Sequence, residues 1–298
     1  MMKRLPRTTI DQWAVLAAVV DERGFAAAGE ALSRSQSAVS YAIRQLETQL
    51  PIALLDHSGR RAELTPAGQT LLRRARAAIE ELQRVEALAT SLAAGWEGEL
   101  RIAVDLVFPP TLLQAALARF GPRSQGTRVE VYESVLSGTT EALLRREVDL
   151  AIVGQLPPGF LGAYLMTAEF VAVAHPAHAL HALGRPLTVE DLRRARQIVV
   201  RDSGSKRRVD AGWLGAEQRW TVSHITTSIE LLKSGLGFAW IPSAHIQGEL
   251  DDGRLVPLPL VEGGTRRVDL QLVHTDPDSA GPATREFAGI LSALCAAA

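Results

Sequence analysis

FAAAGEALSRSQSAVSYAIRQLETQLPIALLDHSGRRAELTPAG, residues 25–68, reads as two short helices on a tight polar turn, a basic hairpin and the capped start of a longer helix. Ala27, Ala28, Ala31 and Leu32 recur at helical spacing, and side chains this small let a second helix cross closely. Ser33-Arg34-Ser35 interrupts the pattern, and Ser35 is placed to cap a helix whose apolar positions are Ala38, Val39, Ala42, Ile43 and Leu46. Its opposite face presents Gln36, Ser37, Ser40, Tyr41 and Arg44. Short hydroxyls, an amide and a guanidinium are the groups that base edges and phosphates accept in a major groove. The pattern predicts a helix-turn-helix, with Gln36, Ser37, Ser40 and Tyr41 toward bases and Arg34, Ser35, Arg44, Arg60 and Arg61 toward phosphates.

On the amino-terminal side, Thr9-Ile10-Asp11-Gln12 has capping-box spacing, and a helix follows with Trp13, Leu16, Ala17 and Val20 inward. On the other side, Ala53-Leu54-Leu55 and Ala62-Glu63-Leu64 flank a Ser58-Gly59 turn, and Thr65-Pro66 opens a helix that runs to about Ala94. Along that helix Leu71, Ala75, Ala78, Leu82, Val85, Ala89 and Leu92 step alternately by four and three, the narrow seam of a coiled-coil pair. The alternative is a helix lying on its own domain.

The FAAAGEAL helix, SQSAVSYAIRQLE, the LLDHSGRRAELTPAG wing and the helix after it resemble the amino-terminal domain of LysR-type transcriptional regulators. Two positions depart from that family's usual pattern. Arg23-Gly24 stands where a capping Ser is usual, and Pro51 where Gly usually follows the recognition helix, so the turn after Leu50 is expected to be reshaped. The resemblance implies a winged helix-turn-helix over 1–66, a linker and dimerisation helix over 67–97, and a two-subdomain, periplasmic-binding-protein-like α/β effector domain over 98–298. Its halves would be about 98–168 plus 269–298, and about 169–268. It also implies a double-stranded DNA operator, a small-molecule effector, a homodimer or a homotetramer built from two dimers, and RNA polymerase as a partner if the regulator activates. Leu71, Ala75, Leu82, Val85 and Leu92 would carry dimerisation.

Residues after Gly95-Trp96-Glu97-Gly98 alternate strand and helix patterns, which predicts a parallel sheet flanked by helices. Strands are expected over 99–104, 128–133, 149–153, 171–174, 197–200, 219–222, 238–241 and 268–273, with a last helix over 283–296. Weaker motifs, GELRIAV, LLRREVDLAIVG, HPAHAL and LLKSGLGFAWIP, extend the resemblance across this region. Ligands of open α/β sheets bind beyond the carboxyl ends of strands, beside free helix N-termini. Those positions hold Asp105, Leu106, Val107 and Phe108, then Leu136 and Ser137, Gly154, Ser203 and Thr226. Asp105 either faces the cleft, where it disfavours a simple anion unless a cation such as Lys206 offsets it, or it caps the next helix or points to water. The apolar neighbours hint at an effector with a hydrophobic or aromatic part.

Composition narrows the alternatives. The 298 residues are 47% hydrophobic, enough for two or three cores, and the net charge is -1. Residues 1–66 hold eight basic against seven acidic side chains, so local placement, the Lys3, Arg4 and Arg7 cluster and Arg60-Arg61 at the expected hairpin tip, and not bulk charge, points to nucleic acid. No apolar run reaches membrane-spanning length, MMKRLPRTTIDQW lacks the core of an export signal, and the lone Cys295 fits a reducing cytoplasm. His175, His178 and His181 invite a metal reading, but Pro176 breaks the face and no acid or thiol accompanies them. Gly235-Leu236-Gly237 follows a helix and precedes a strand, the reverse of a phosphate cradle, and is expected to cap and to pack. No cofactor, metal or catalytic constellation is expected. The rival readings are an effector-binding module whose head contacts protein, and an enzyme built on the α/β portion.

Overall fold

Thr9 starts the first helix as the spacing predicts: its hydroxyl accepts from the Gln12 N–H while the Gln12 side chain accepts from the Thr9 N–H. In the computed structural model, which describes residues 6–56, 62–205 and 211–297, the chain divides into two compact units, Met1–Thr90 and Ser91–Ala298.

The first unit is built from α1 (Ile10–Asp21), α2 (Phe25–Ala31), α3 (Gln36–Gln49), β1 (Leu55–Asp56), β2 (Glu63–Leu64) and most of α4 (Pro66–Ala93). Val15, Leu16, Val19, Ala28, Val39, Ile43, Leu46, Leu54, Leu55 and Leu72 form its core. The buried face of α1 is therefore turned from the expected one: Val15 and Val19 are buried, and Trp13, Ala17 and Val20 only half-buried, because Val15, Leu16 and Val19 share one core with Val39, Ile43 and Leu46 of α3. Ala31 and Ala38 are exposed, so the tight crossing rests on Ala28 and Gly29. A Cβ on Gly29 would meet the Arg34 carbonyl oxygen at 2.7 Å. Pro51 is accommodated without a left-handed residue: α3 stops at Gln49 and Leu50 is extended (φ -110, ψ 110), the conformation a following proline favours. Leu55 and Asp56 pair antiparallel with Leu64 and Glu63, and Thr65 caps α4 by accepting from the Gly68 N–H at 2.9 Å. The Ser58-Gly59 turn, Arg60 and Arg61 lie outside the described residues, as do Lys3, Arg4 and Lys206.

The second unit contains β3 (Glu99–Asp105), α5 (Pro110–Phe120), β4 (Arg128–Ser134), α6 (Ser137–Leu144), β5 (Leu150–Val153), β6 (Gly162–Ala174), α7 (Val189–Arg194), β7 (Arg196–Val200), β8 (Gln218–Val222), α8 (Ile225–Lys233), β9 (Phe238–Pro242), α9 (Gln247–Asp251), β10 (Val256–Pro257), β11 (Thr265–His274) and α10 (Pro282–Ala296). The strands run β4-β3-β5-β11-β6-β9-β7-β8, with β10 against β6. β3 is parallel to β4 and β5, and β7 to β8 and β9, as expected of each half. The all-parallel expectation fails in the middle. β6 and β11 are long, antiparallel to each other and to their outer neighbours, and carry the chain from one half to the other. Sequence patterning found only part of each, over 171–174 and 268–273. The remaining residues are held by pairing to a distant strand rather than by local alternation.

Two halves packed on one mixed sheet leave a crevice at the carboxyl ends of β3 and β7. The first half packs Leu100, Ile102, Phe120, Phe287 and Leu291 beneath it, with Phe120 and Phe287 edge to face at 5.4 Å. The second packs Val171, Ile198, Ile229, Leu232 and Ile241. Glu97 ties the returning α10 to the first half, its carboxylate accepting from the N–H groups of Ala283 (2.8 Å) and Thr284 (3.1 Å). Gly235 ends α8 at φ +72, and a Cβ on Gly237 would lie 2.5 Å from the Arg196 carbonyl oxygen, so the Gly-Leu-Gly segment caps and packs as expected. Among the described residues no helix is long and apolar enough to cross a membrane.

Candidate functional site

The Ser35 hydroxyl accepts from the Ala38 N–H at 3.2 Å and starts α3, whose Val39, Ile43 and Leu46 are buried. That anchoring turns the other side outward: Gln36, Ser37, Tyr41 and Arg44 are exposed and Ser40 is half-buried, Tyr41 at 61%. The hydroxyls of Ser35 and Ser37 lie 3.0 Å apart, and the Arg44 Nε donates to the Ser40 carbonyl at 3.3 Å, which lays its guanidinium along the helix. Arg34 is engaged differently. Its guanidinium donates two bonds to Asp11 (2.9 and 2.7 Å), which holds the Asp11 carboxyl below its ordinary range and ties the helix-turn-helix turn to α1. An exposed row of amide, hydroxyls and a phenol, flanked by a guanidinium, is suited to lie in a groove and take hydrogen bonds from base edges.

On α4, Leu71 packs against the core of the first unit and Ala75 is buried, whereas Leu82, Val85 and Leu92 are 44%, 54% and 50% exposed. The seam read from the sequence therefore divides: its start is spent within the head, and its remainder is open along the helix.

In the second unit the crevice is a cavity of about 800 Å³. Asp105, Leu106, Val107, Leu136, Ser137 and Gly154 line it. Phe108 does not: it is 2% exposed and turns into the core of the first half. Thr226 is exposed on α8, and its neighbour Ile225 takes the wall. Ser203 does not line the cavity and is bonded instead to Val135 of the first half. Its hydroxyl accepts from the Val135 N–H at 2.9 Å, and its N–H donates to the Val135 carbonyl at 3.2 Å. Beside it, the Asp202 carboxylate accepts from the Ser137 hydroxyl (2.6 Å) and N–H (3.1 Å), seating an acid from the second half on the N-terminus of α6. Glu141 then accepts from the Ser205 N–H and hydroxyl at 3.0 and 2.7 Å. Gly138 and Gly204 make this approach possible, since a Cβ on either would fall 2.1 or 2.0 Å from the hydroxyl of Ser203 or Ser137.

Of the two readings left open for Asp105, the cavity one holds: it lines the cavity and does not cap α5, whose N-cap position is Pro109, and its Oδ1 accepts instead from the Val107 N–H of the intervening turn at 3.0 Å. Its second backbone donor is Leu136, a non-glycine residue at φ 52 and ψ -110. That backbone is strained, and the Asp105 bond together with the Val135–Ser203 clasp holds it there. Burial pushes the Asp105 carboxyl up to about 6, against the two backbone bonds, and the nearby Asp202 charge adds to the rise.

Several cavity residues escaped the sequence reading. Gln197 is the polar member of the otherwise apolar QIVV strand segment and is 3% exposed, a pattern that signals a buried polar role. Trp213 and Trp240, 5.8 Å apart and both near Phe238, form an aromatic wall drawn from distant segments that no local pattern connects. Arg266 lies 4.8 Å over the Phe170 ring on the same lining. Two of the three histidines of HPAHALH serve a turn: the Nδ1 atoms of His175 and His178 accept from the N–H groups of Ala177 and Leu180.

A helix-turn-helix with an exposed polar reading face, in one chain with a two-half α/β domain that encloses a small-molecule cavity, defines a ligand-responsive DNA-binding regulator. Residues 10–69 match the family described as bacterial regulatory helix-turn-helix protein, lysR family, and residues 93–296 match the LysR substrate binding domain. The chain belongs to the LysR-type transcriptional regulators. It is 36% identical over 258 residues to the HTH-type transcriptional regulator YeeY of Escherichia coli K12, covering 85% of this chain and 83% of that protein. To the probable regulator YhaJ of the same organism it is 31% identical over 242 residues, covering 79% and 81%. The solved structure of CrgA, a LysR-type regulator from Neisseria meningitidis, shares the fold with a TM-score of 0.53 at 22% identity, covering 97% of this chain and 99% of that one.

Proposed function

We propose that this DNA-binding regulator reads its operator with α3, Gln36, Ser37, Ser40 and Tyr41 meeting base edges and Ser35, Arg44 and the wing arginines Arg60 and Arg61 meeting phosphates. Arg34 joins the phosphate set on the duplex if Asp11 releases it. The division into a head over 1–66, a linker over 67–97 and an effector domain over 98–298 follows the order of these tasks. Two chains pair through the open part of α4, around Leu82, Val85 and Leu92, with Leu71 and Ala75 bracing the start of the seam. Two such dimers make a tetramer, and RNA polymerase is the further partner where the regulator activates. The protein works in the cytoplasm by binding rather than by catalysis. Its effector contacts are centred on Asp105, Leu106, Val107, Leu136, Ser137 and Gly154. A ligand that prefers one arrangement of the two halves shifts the population toward it, and only that difference in affinity does regulatory work.

The observation that carries the DNA reading is the exposed, mostly uncharged face of α3, backed by fully buried Val39 and Leu46. Gel shifts with DNA flanking the chain's own gene test it. Gln36→Ala and Tyr41→Ala should each weaken specific binding about tenfold while nonspecific binding persists. Arg44→Ala should weaken binding to all sequences and make the salt slope shallower by about one unit. If all three variants bind as the parent does, α3 is not the reading helix.

A further inference from the structure

The effector cavity carries two buried hydrogen-bond acceptors. Gln197 donates its amide Nε2 to the Trp213 carbonyl at 2.8 Å, which fixes the side-chain orientation and leaves the buried Oε1 without a partner. A buried acceptor in that state is unfavourable until something donates to it. Asp105, 4% exposed, accepts from two backbone N–H groups, and a carboxylate has capacity for about four. The anion-friendly position of this crevice, the N-terminus of α6, is already filled by the chain's own carboxylate, because Asp202 takes both the N–H and the hydroxyl of Ser137. The charged side chains on the described lining are Asp105, Glu262 and Arg266, one net negative charge, and Arg266 is laid over Phe170. Trp213, Trp240, Ile198, Val200 and Leu136 make the remaining walls mainly apolar. A cavity of about 800 Å³ is roomy enough for a drug-sized molecule.

Building on the effector-cleft reading, we propose that this cavity takes an apolar, partly aromatic amine, whose ammonium donates to Asp105, and that it rejects the carboxylate of the same shape. A second carboxylate here would face Asp105 and find the helix N-terminus occupied. An ammonium would gain a charge-assisted bond in a low-dielectric pocket.

Titration calorimetry on the full chain tests this with matched pairs: phenethylamine against 3-phenylpropionate, and tryptamine against indole-3-propionate. The amine of at least one pair should bind ten times or more tighter than its carboxylate, and Asp105→Asn, nearly isosteric, should erase that preference. A carboxylate binding as tightly as its amine overturns the proposal, as does the absence of amine binding in both pairs. Val200→Trp, which fills the cavity, separates the two levels of the argument, with its cooperative melting checked first. If neither amine binds but Val200→Trp alters operator affinity, the cleft still regulates and only the amine assignment falls. If operator affinity also stays unchanged, the effector-cleft reading falls with it.

Discussion

Asp105 is where the sequence left two readings and the fold chose the cavity. A carboxyl at the end of a central strand is close enough to the next turn to accept the Val107 N–H, and buried enough to be titrated upward. In the unfolded chain it ionises near the ordinary value of about 3.9. Its folded pKa of about 6 means that the native state favours the protonated form. The group's contribution is fully present below about pH 4 and is lost as pH rises through about 6, a cost on the order of 3 kcal/mol at neutral pH. Asp105→Asn, which cannot ionise, should therefore gain melting temperature relative to the parent between pH 4.5 and pH 8. A gap between the two proteins that stays constant across that range would rule out an ionisable, buried Asp105. At other positions local chemistry was enough: Thr9, Ser35 and Thr65 cap helices because a short side-chain oxygen before an apolar-periodic run satisfies free N–H groups wherever the helix goes. Phe108 and Thr226 were misplaced because strand-end position fixes proximity to a cleft, whereas packing decides which side chain turns inward.

Among the elements, α4 shows how a correct period can have two uses. Its 28 residues span about 42 Å, more than the head can cover. The same four-three spacing serves the head at Leu71 and Ala75 and stays open at Leu82, Val85 and Leu92. Leu82→Asp places a charge on the open part and should raise the dissociation constant of self-association at least tenfold by sedimentation. A fully assembled Leu82→Asp protein would remove the helix from the interface. The strands β6 and β11 teach the converse. Their paired register from Gly162 to Val171, with a shift between Leu270 and Gln271, is set by a partner about a hundred residues away, so neither their length nor their direction was written in local alternation.

Across the chain, two units with separate cores imply two cooperative melting events. Leu16 is fully buried in the core of the first unit. Leu16→Ala should cost about 2–5 kcal/mol and lower one calorimetric transition. The transition that responds to Asp105→Asn should be the other one. A single transition shifted by both substitutions would mean that the two units unfold as one.

The amino-acid sequence by itself determined the helix-turn-helix, its caps, the open face of α3 and the βα alternation of each half, because each depends on neighbours within a turn or two of chain. Tertiary structure alone decided which face of α1 is buried, that two antiparallel strands stitch the halves together, and that Asp202 from one half occupies a helix N-terminus of the other. The cavity belongs to the second group for the same reason. Gln197, Trp213 and Asp105 come from segments far apart in the chain, and only packing over those distances sets acceptors and aromatic rings around one space.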